Sequence, residues 1–453
     1  MHTSNPIRCR IIPKKFLSPV STLPPVRKVT PPVAKPSLVE PITISPPGPY
    51  TQVPTGSSDD SIAAAFWDYQ SLFVSQRSET TDPIALRVVD GAVPPDFPSG
   101  TYFLAGPGIF SDDHGSSVHP LDGHGYVRAF EIDGGGGEVR FMAKYVKTEA
   151  HVEEHDKESG TWRFTHRGPF SVLKGGKRFG NTKVMKNVAN TSAVKWGGRL
   201  LCLWEGGTPY EIESRSLDTV DRFDLVQDKN SDSDSDQSWG GDMWSLAAKV
   251  LKPILCGSMG AVGGLFPMIS ALSLNPSKTT SPIYLLPRFS DEKSRDWRVT
   301  VEAPSQMWLL HVGNAFQVKD VHGNSHIQIY ASSCSYQWFN FQKLFATSSG
   351  SRQNLPHFPF DTVVKLNVVT KSSSTWSVGP RTFIGEPIFV SKGIEEDDGY
   401  LLVVEYAVSI QRCFLVILNP KRIGEDDALV ARLEVPGNFN FPLGFHGFWA
   451  TGN

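Results

Sequence analysis

Residues 126–145 read YVRAFEIDGGGGEVRFMAKY, two alternating apolar and polar runs hinged on Gly134–Gly137. A period of two puts alternate side chains on opposite faces of a strand, and a glycine run supplies the positive φ angles of a tight turn. Tyr126–Ile132 and Glu138–Tyr145 therefore read as an antiparallel hairpin. Ala193–Trp196 and Arg199–Trp204 repeat the pattern around Gly197-Gly198. Further strands are expected at Gly100–Ala105, Ile283–Leu286, Ile327–Ser332, Tyr400–Val408 and Cys413–Asn419, with a helix at Asp60–Arg77. The spacing suits antiparallel sheets in a closed or radial array and shows no βαβ alternation. No GH…WD period recurs, so a WD40 repeat is not supported.

Composition agrees with an all-β class. The 453 residues hold 27 Phe, 11 Trp, 11 Tyr, 40 Gly and 34 Pro, which favours short strands and tight turns over a helical bundle. With 44 basic against 46 acidic side chains the formal charge is −2, so no nucleic-acid partner is indicated. Cys9, Cys202, Cys256, Cys334 and Cys413 are odd in number and form no CxxC pair, which excludes a disulfide scaffold and a thiolate zinc knuckle.

Residues 1–50 read as a leader. Arg8, Arg10, Lys14, Lys15, Arg27, Lys28 and Lys35 precede the first acid, Glu40, amid frequent Pro and with no continuous apolar region. That is the character of a plastid transit peptide with a Pro-rich linker, the alternative being a disordered tail. Pro253–Ser277 carries no charge but four glycines and three prolines, so it reads as a core or membrane-surface segment and not a span. Trp244–Leu251 resembles an amphipathic turn able to lie on lipid. Asp228–Asp236 is expected to be a solvated loop.

Candidate chemistry centres on histidine. His151-Val-Glu-Glu-His155 matches the H-x-x-E-H zinc-peptidase signature, whose imidazoles share a helix face. HVEEHDKESG is polar throughout, so a solvated helix or loop is the stronger expectation. Gly134–Gly137 lacks a following Lys-Ser/Thr and is a turn, not a phosphate loop, and no GxSxG elbow occurs. His311 in WLLHVGNAF and His446 in GFHGFW sit among apolar and aromatic residues at expected strand ends, where a hydrogen-bonded core role is the ordinary reading.

Longer motifs change that reading. VHPLDGHGYV, NTSAVKWGGRLLCLWEGGTPYEI, WLLHVGNAF, GEPIFV followed by EEDDGY, and GFHGFW occur in the order found in the carotenoid cleavage dioxygenases. AFWDYQSLFVSQRSET, FMAKYVKTEAHVEEHD, SALSLNPS and LPRFSDEKSRDWRV resemble the plastid branch that serves strigolactone synthesis. The likeness spans residues 60–453. It implies a seven-bladed β-propeller holding one Fe(2+) per subunit through four histidines, with O2 cleaving a carotenoid double bond into two carbonyl products. By resemblance the substrate is 9-cis-β-carotene, cut at the 9',10' bond, and the protein touches the plastid membrane. His311 and His446 match two iron ligands, and Glu205 and Glu386 match carboxylates that accept the ligands' other ring N–H. Gln317 stands where the family usually has Glu.

Two ligand motifs are missing, one of the His-x-Lys-x-Asp-Pro kind and one of the Met-His-Asp kind. Lys252–Leu255 runs through Cys256 into GSMGAVGG, and Phe341–Phe345 runs into ATSSGS without the family's Phe-Pro-x-Ile-Asn strand. The resemblance therefore leaves two of four ligands, about two blades fewer, and an alternative expectation of a truncated, catalytically inactive family member.

Overall fold

The computed structural model describes residue 68 and residues 71–166, 168–171, 186–204, 206–223, 280, 282–283, 301–302, 308–323, 325–334, 360–367, 369–379, 381–439 and 444–452. The leader, Glu205, Asp228–Asp236, Trp244–Leu251, Pro253–Ser277 and both junctions lie outside these residues. The described chain is all-β. Helix is sparse, in Glu149–Glu154 and in short 3-10 turns such as Ser71–Phe73.

The decisive hairpin pairs Gly125–Ile132 with Val139–Tyr145, in a register running from Tyr126↔Tyr145 to Ile132↔Val139. At its turn a Cβ on Gly134 would fall 1.7 Å from the Phe97 carbonyl oxygen, so only glycine fits. The second hairpin joins Ser192–Trp196 to Arg199–Leu203, with φ of 54° and 84° at Gly197 and Gly198. Two successive positive φ values match the strand twist, as two-residue hairpins require. The other expected strands appear as Gly100–Pro107, Ser325–Cys334, Gly399–Ala407 and Arg412–Leu418; Pro282–Ile283 marks the remaining one, whose residues 284–286 are not described.

One expectation holds only in part at the front of the domain: Asp68 and Ser71–Phe73 are helical, and residues 74–77 are not. The described part of Asp60–Arg77 leaves helix after Phe73, and the chain runs extended along a sheet. Gln76 N–H donates to the Gly108 carbonyl at 2.6 Å and Thr80 N–H to that of Ala143 at 2.9 Å. Tertiary partners satisfy the backbone that a helix would have satisfied internally.

Three sheets stack face to face. The five-stranded sheet runs Ile84–Ala85, Val139–Tyr145, Gly125–Ile132, Gly100–Pro107, Gly447–Thr451. Tyr102 and Leu104 on one of its faces pack with Leu402, Leu415 and Leu433 of a six-stranded sheet. Phe103 and Ala105 on the other pack with Leu200, Cys202 and Tyr210 of a four-stranded sheet. Burial on both faces explains why Gly100–Pro107 is apolar without alternation. The far face of the six-stranded sheet meets the hairpin of Thr362–Leu366 and Ser373–Ser377 through Val403, Val416 and Val363. Among the described residues these sheets form no closed ring and give no count of seven blades.

Two pairings join distant parts of the chain: Arg87–Gly91 with Leu429–Glu434, and Gly100–Pro107 with Gly447–Thr451. No helix among the described residues is long and apolar enough to cross a membrane.

Candidate metal centre

His446 immediately precedes the Gly447–Thr451 strand, whose Gly447 stands opposite Leu104. The neighbouring backbone is clamped on both sides: Phe445 N–H donates to the Ala105 carbonyl at 2.9 Å, and Ala105 N–H donates to the His446 carbonyl at 3.1 Å. His311 lies within the Trp308–Lys319 strand, which pairs with Ser325–Cys334. Register shifts fall between Leu309 and His311 and again between Val312 and Asn314, so His311 sits between two irregularities of the ladder. Bulges of this kind bend a strand and re-aim a side chain.

The result is a pair of imidazoles from distant sequence. The rings of His311 and His446 stand 5.4 Å apart, centroid to centroid, inclined at 75°. Glu386 lies between Thr382–Ile384 and Ile388–Ser391, and its carboxylate oxygens are 3.2 and 3.4 Å from His446 Nδ1. A proton on Nδ1 donated to that carboxylate puts the ring's lone pair on Nε2, the tautomer usual for a metal-ligating histidine. Neutral imidazoles in this orientation suit a divalent first-row ion such as iron. Their number is two. Among the described residues no group of three or more His, Cys, Asp or Glu side chains could hold a metal. The donor set thus fits iron in kind, as half of the four-imidazole set expected from the sequence.

The His151–His155 segment is a solvated helix and loop only in part: Val152, Glu153 and residues 156–160 are exposed, whereas His151 and Glu154 turn inward. Thr148 caps the helix, its hydroxyl accepting from His151 N–H at 3.2 Å, and the helix ends at Glu154 after six residues. His155 already belongs to a strand and stacks on Trp162 at 4.5 Å, so no helical face carries both imidazoles and the peptidase arrangement is not formed. His151 and Glu154 are buried, at 3 % and 1 % exposure. Polar composition misled at Glu154 because its partners, His124, Thr165, His166 and Lys186, come from outside the segment.

Glu154 is the hub of that cluster. One carboxylate oxygen accepts from Thr165 N–H at 2.9 Å and His166 N–H at 2.6 Å. The other is 2.7 Å from His124 Nε2 and 2.8 Å from Lys186 Nζ. Burial pushes the carboxyl up, but Lys186 and the histidine hydrogen bonds outweigh it and hold Glu154 well below the usual range. Burial, with Lys186, lowers His124 to about 4. Asp122 goes the other way: burial raises it to about 7 against hydrogen bonds from Ser171 and Phe170. Nothing in the sequence advertised this hub, because His124 and Lys186 each lie about thirty residues from Glu154.

Comparison with known proteins accords with this picture. The family model described as retinal pigment epithelial membrane protein matches residues 73–239 and 342–451, taking in His446 and Glu386 but not His311. The chloroplastic carotenoid cleavage dioxygenase 7 of Arabidopsis thaliana is 45 % identical over 618 residues, covering 97 % of this chain and 99 % of that protein. The rice protein of the same name is 39 % identical, covering 86 % and 92 %. The aligned span of 618 residues exceeds the 453 of this chain, so the Arabidopsis protein contains stretches with no counterpart here. A crystal structure of cobalt-substituted apocarotenoid oxygenase from Synechocystis superposes with a TM-score of 0.56 at 21 % identity, covering 85 % of this chain and 99 % of that one.

Proposed function

The chain belongs to the carotenoid oxygenase family, that of the retinal pigment epithelial membrane protein, and from this premise we propose that it is a plastid carotenoid cleavage dioxygenase. The observation that carries the reading is the meeting of His311 and His446, with Glu386 against the latter. Iron(II) would be held by these two imidazoles, and bound there it supplies the activation of O2 for cleavage of a carotenoid double bond. His446 presents Nε2 because Glu386 accepts the Nδ1 proton, and the Ala105 backbone fixes the segment on which the ring hangs.

The finer reading is a 9-cis-β-carotene substrate cut at the 9',10' bond into an apocarotenal and a smaller carbonyl product, in the service of strigolactone synthesis. The names of the Arabidopsis and rice relatives support that branch and the plastid location, as does the acid-poor leader. The face-to-face stack of sheets and the likeness to the Synechocystis fold support a propeller reading. A substrate dissolved in lipid calls for peripheral contact with the plastid membrane.

A second reading has its own observation. At this site only His311 and His446 meet among the described residues, which hold no group of three or more metal-binding side chains, and the Arabidopsis protein carries stretches that this chain lacks. On that reading the chain is a shortened, inactive member that at most binds apocarotenoids. One experiment separates the two. The purified chain is loaded anaerobically with Fe(II), its iron counted, and a cis-carotenoid in detergent supplied with O2. Stoichiometric iron and an apocarotenal, both lost in His311→Ala and His446→Ala, support the enzyme. Substoichiometric iron without product selects the inactive form. Full iron retention in His446→Ala refutes the ligand assignment.

A further inference from the structure

His446 is flanked by two glycines whose missing side chains are filled by a neighbouring strand. A Cβ on Gly447 would lie 2.6 Å from Tyr102 Cε2 and 2.5 Å from the Phe103 carbonyl oxygen. A Cβ on Gly444 would lie 2.9 Å from Leu104 Cδ2 and 3.1 Å from its Cδ1. Gly447 is not among the glycines with positive φ, so what it needs is space and not a left-handed backbone. Tyr102 is 1 % exposed and its ring stacks on Phe130 at 5.8 Å, which prevents it from swinging aside. Leu104 is equally buried in the same core. The Ala105 backbone then holds Phe445 and His446 between these two contacts.

We propose that Tyr102 and Leu104 are positioning residues: their side chains, seated against Gly447 and Gly444, set the depth and direction at which His446 meets Glu386 and His311. The proposal rests on the metal-centre reading but concerns this chain's own geometry. A second observation agrees with it. Burial, and after it the charge of Glu386, raise the Tyr102 phenol above its ordinary value, which places the ring in the field of the carboxylate that braces His446.

The imidazole itself reports the outcome. With 15N-histidine labelling, nitrogen NMR distinguishes Nδ1–H from Nε2–H, a signature that general loosening of the fold does not select. In the metal-free wild-type chain His446, assigned by its absence in His446→Ala, should be held as Nδ1–H by Glu386. Gly447→Ala should lower the Nδ1–H to Nε2–H ratio about tenfold, the equivalent of one charge-assisted hydrogen bond. Tyr102→Phe keeps the ring and should keep the wild-type ratio. Since Gly447→Ala also meets backbone, a gentler pair stands beside it: Gly444→Ala should shift the ratio the same way, and adding Leu104→Val should restore it. A wild-type ratio retained in Gly444→Ala, or no Nδ1–H preference in the wild type, overturns the proposal. Failure of the iron reading would register in the metal count and leave this ratio untouched.

Discussion

Replacing Glu154 by glutamine removes one charge from a site where every partner is buried. Glu154 and Lys186 are each 1 % exposed and His124 is at 0 %. The amide can still accept from Thr165 and His166 N–H, but it leaves the Lys186 ammonium without its 2.8 Å counter-charge, above the Phe164 ring at 4.6 Å and with only the more distant Asp122 to balance it. Breaking a buried pair from one side costs about 3–5 kcal/mol, chiefly through the stranded charge. Against a total stability of roughly 5–15 kcal/mol, that is a fifth or more of what holds the fold. The argument also fixes the remedy. Lys186→Met alone should cost several kcal/mol as well, yet Glu154→Gln with Lys186→Met should recover most of the loss, since neither charge is then stranded. Urea unfolding at pH 7.5, followed through Trp162, whose ring lies 5.0 Å from His151, gives all four corners of the cycle. A loss below about 1 kcal/mol for Glu154→Gln, or a double variant no more stable than the single, would refute the reasoning.

Two further outcomes follow from the same geometry. Glu386→Gln should lower Fe(II) retention about 10–100-fold, read by competition with a chelator, because the Nδ1–H of His446 loses its charged acceptor. The pH dependence of stability should be partly offset by opposed shifts: His151 is depressed by burial even further than His124 and acts with it, and Asp122 acts against both. His124, lowered to about 4, makes stability fall as pH drops from 6.5, whereas Asp122, raised to about 7, makes stability rise as pH drops from 7. Asp122→Asn should therefore be more stable than wild type at pH 7 and should lose stability more steeply than wild type between pH 6.5 and 4, where His124 and His151 both resist protonation. Unfolding curves for the two proteins that run parallel across that range would contradict both assignments.

Local pattern was legible where the physics is local. The glycine hinge at Gly134–Gly137 and the pair Gly197-Gly198 fix their hairpins within the hinge itself, and the strands were readable to within a few residues. The turn after Phe73 was not, since carbonyls of Gly108 and Ala143 decide the path of residues 76–80. In the site, His311 and His446 were found only through long motifs. Glu386 lies 60 residues from its histidine, a distance no periodicity spans. The buried hub at Glu154 was misread as solvated, because composition reports how polar a segment is and not whether its polar groups satisfy one another.

The pairing of Gly100–Pro107 with Gly447–Thr451 sets a timetable for biosynthesis. Leu104 and its partner Gly447 are 343 residues apart, and a ribosome adding about 5–20 residues per second needs roughly 20–70 s to cover that distance. Throughout that interval the nascent chain presents an apolar strand with one free edge, which is a template for pairing with other chains. The five-stranded sheet is thus completed late, and the segment bearing His446 is the one that adds its edge strand. Chaperone engagement of the growing chain should accordingly persist until residues 447–451 emerge.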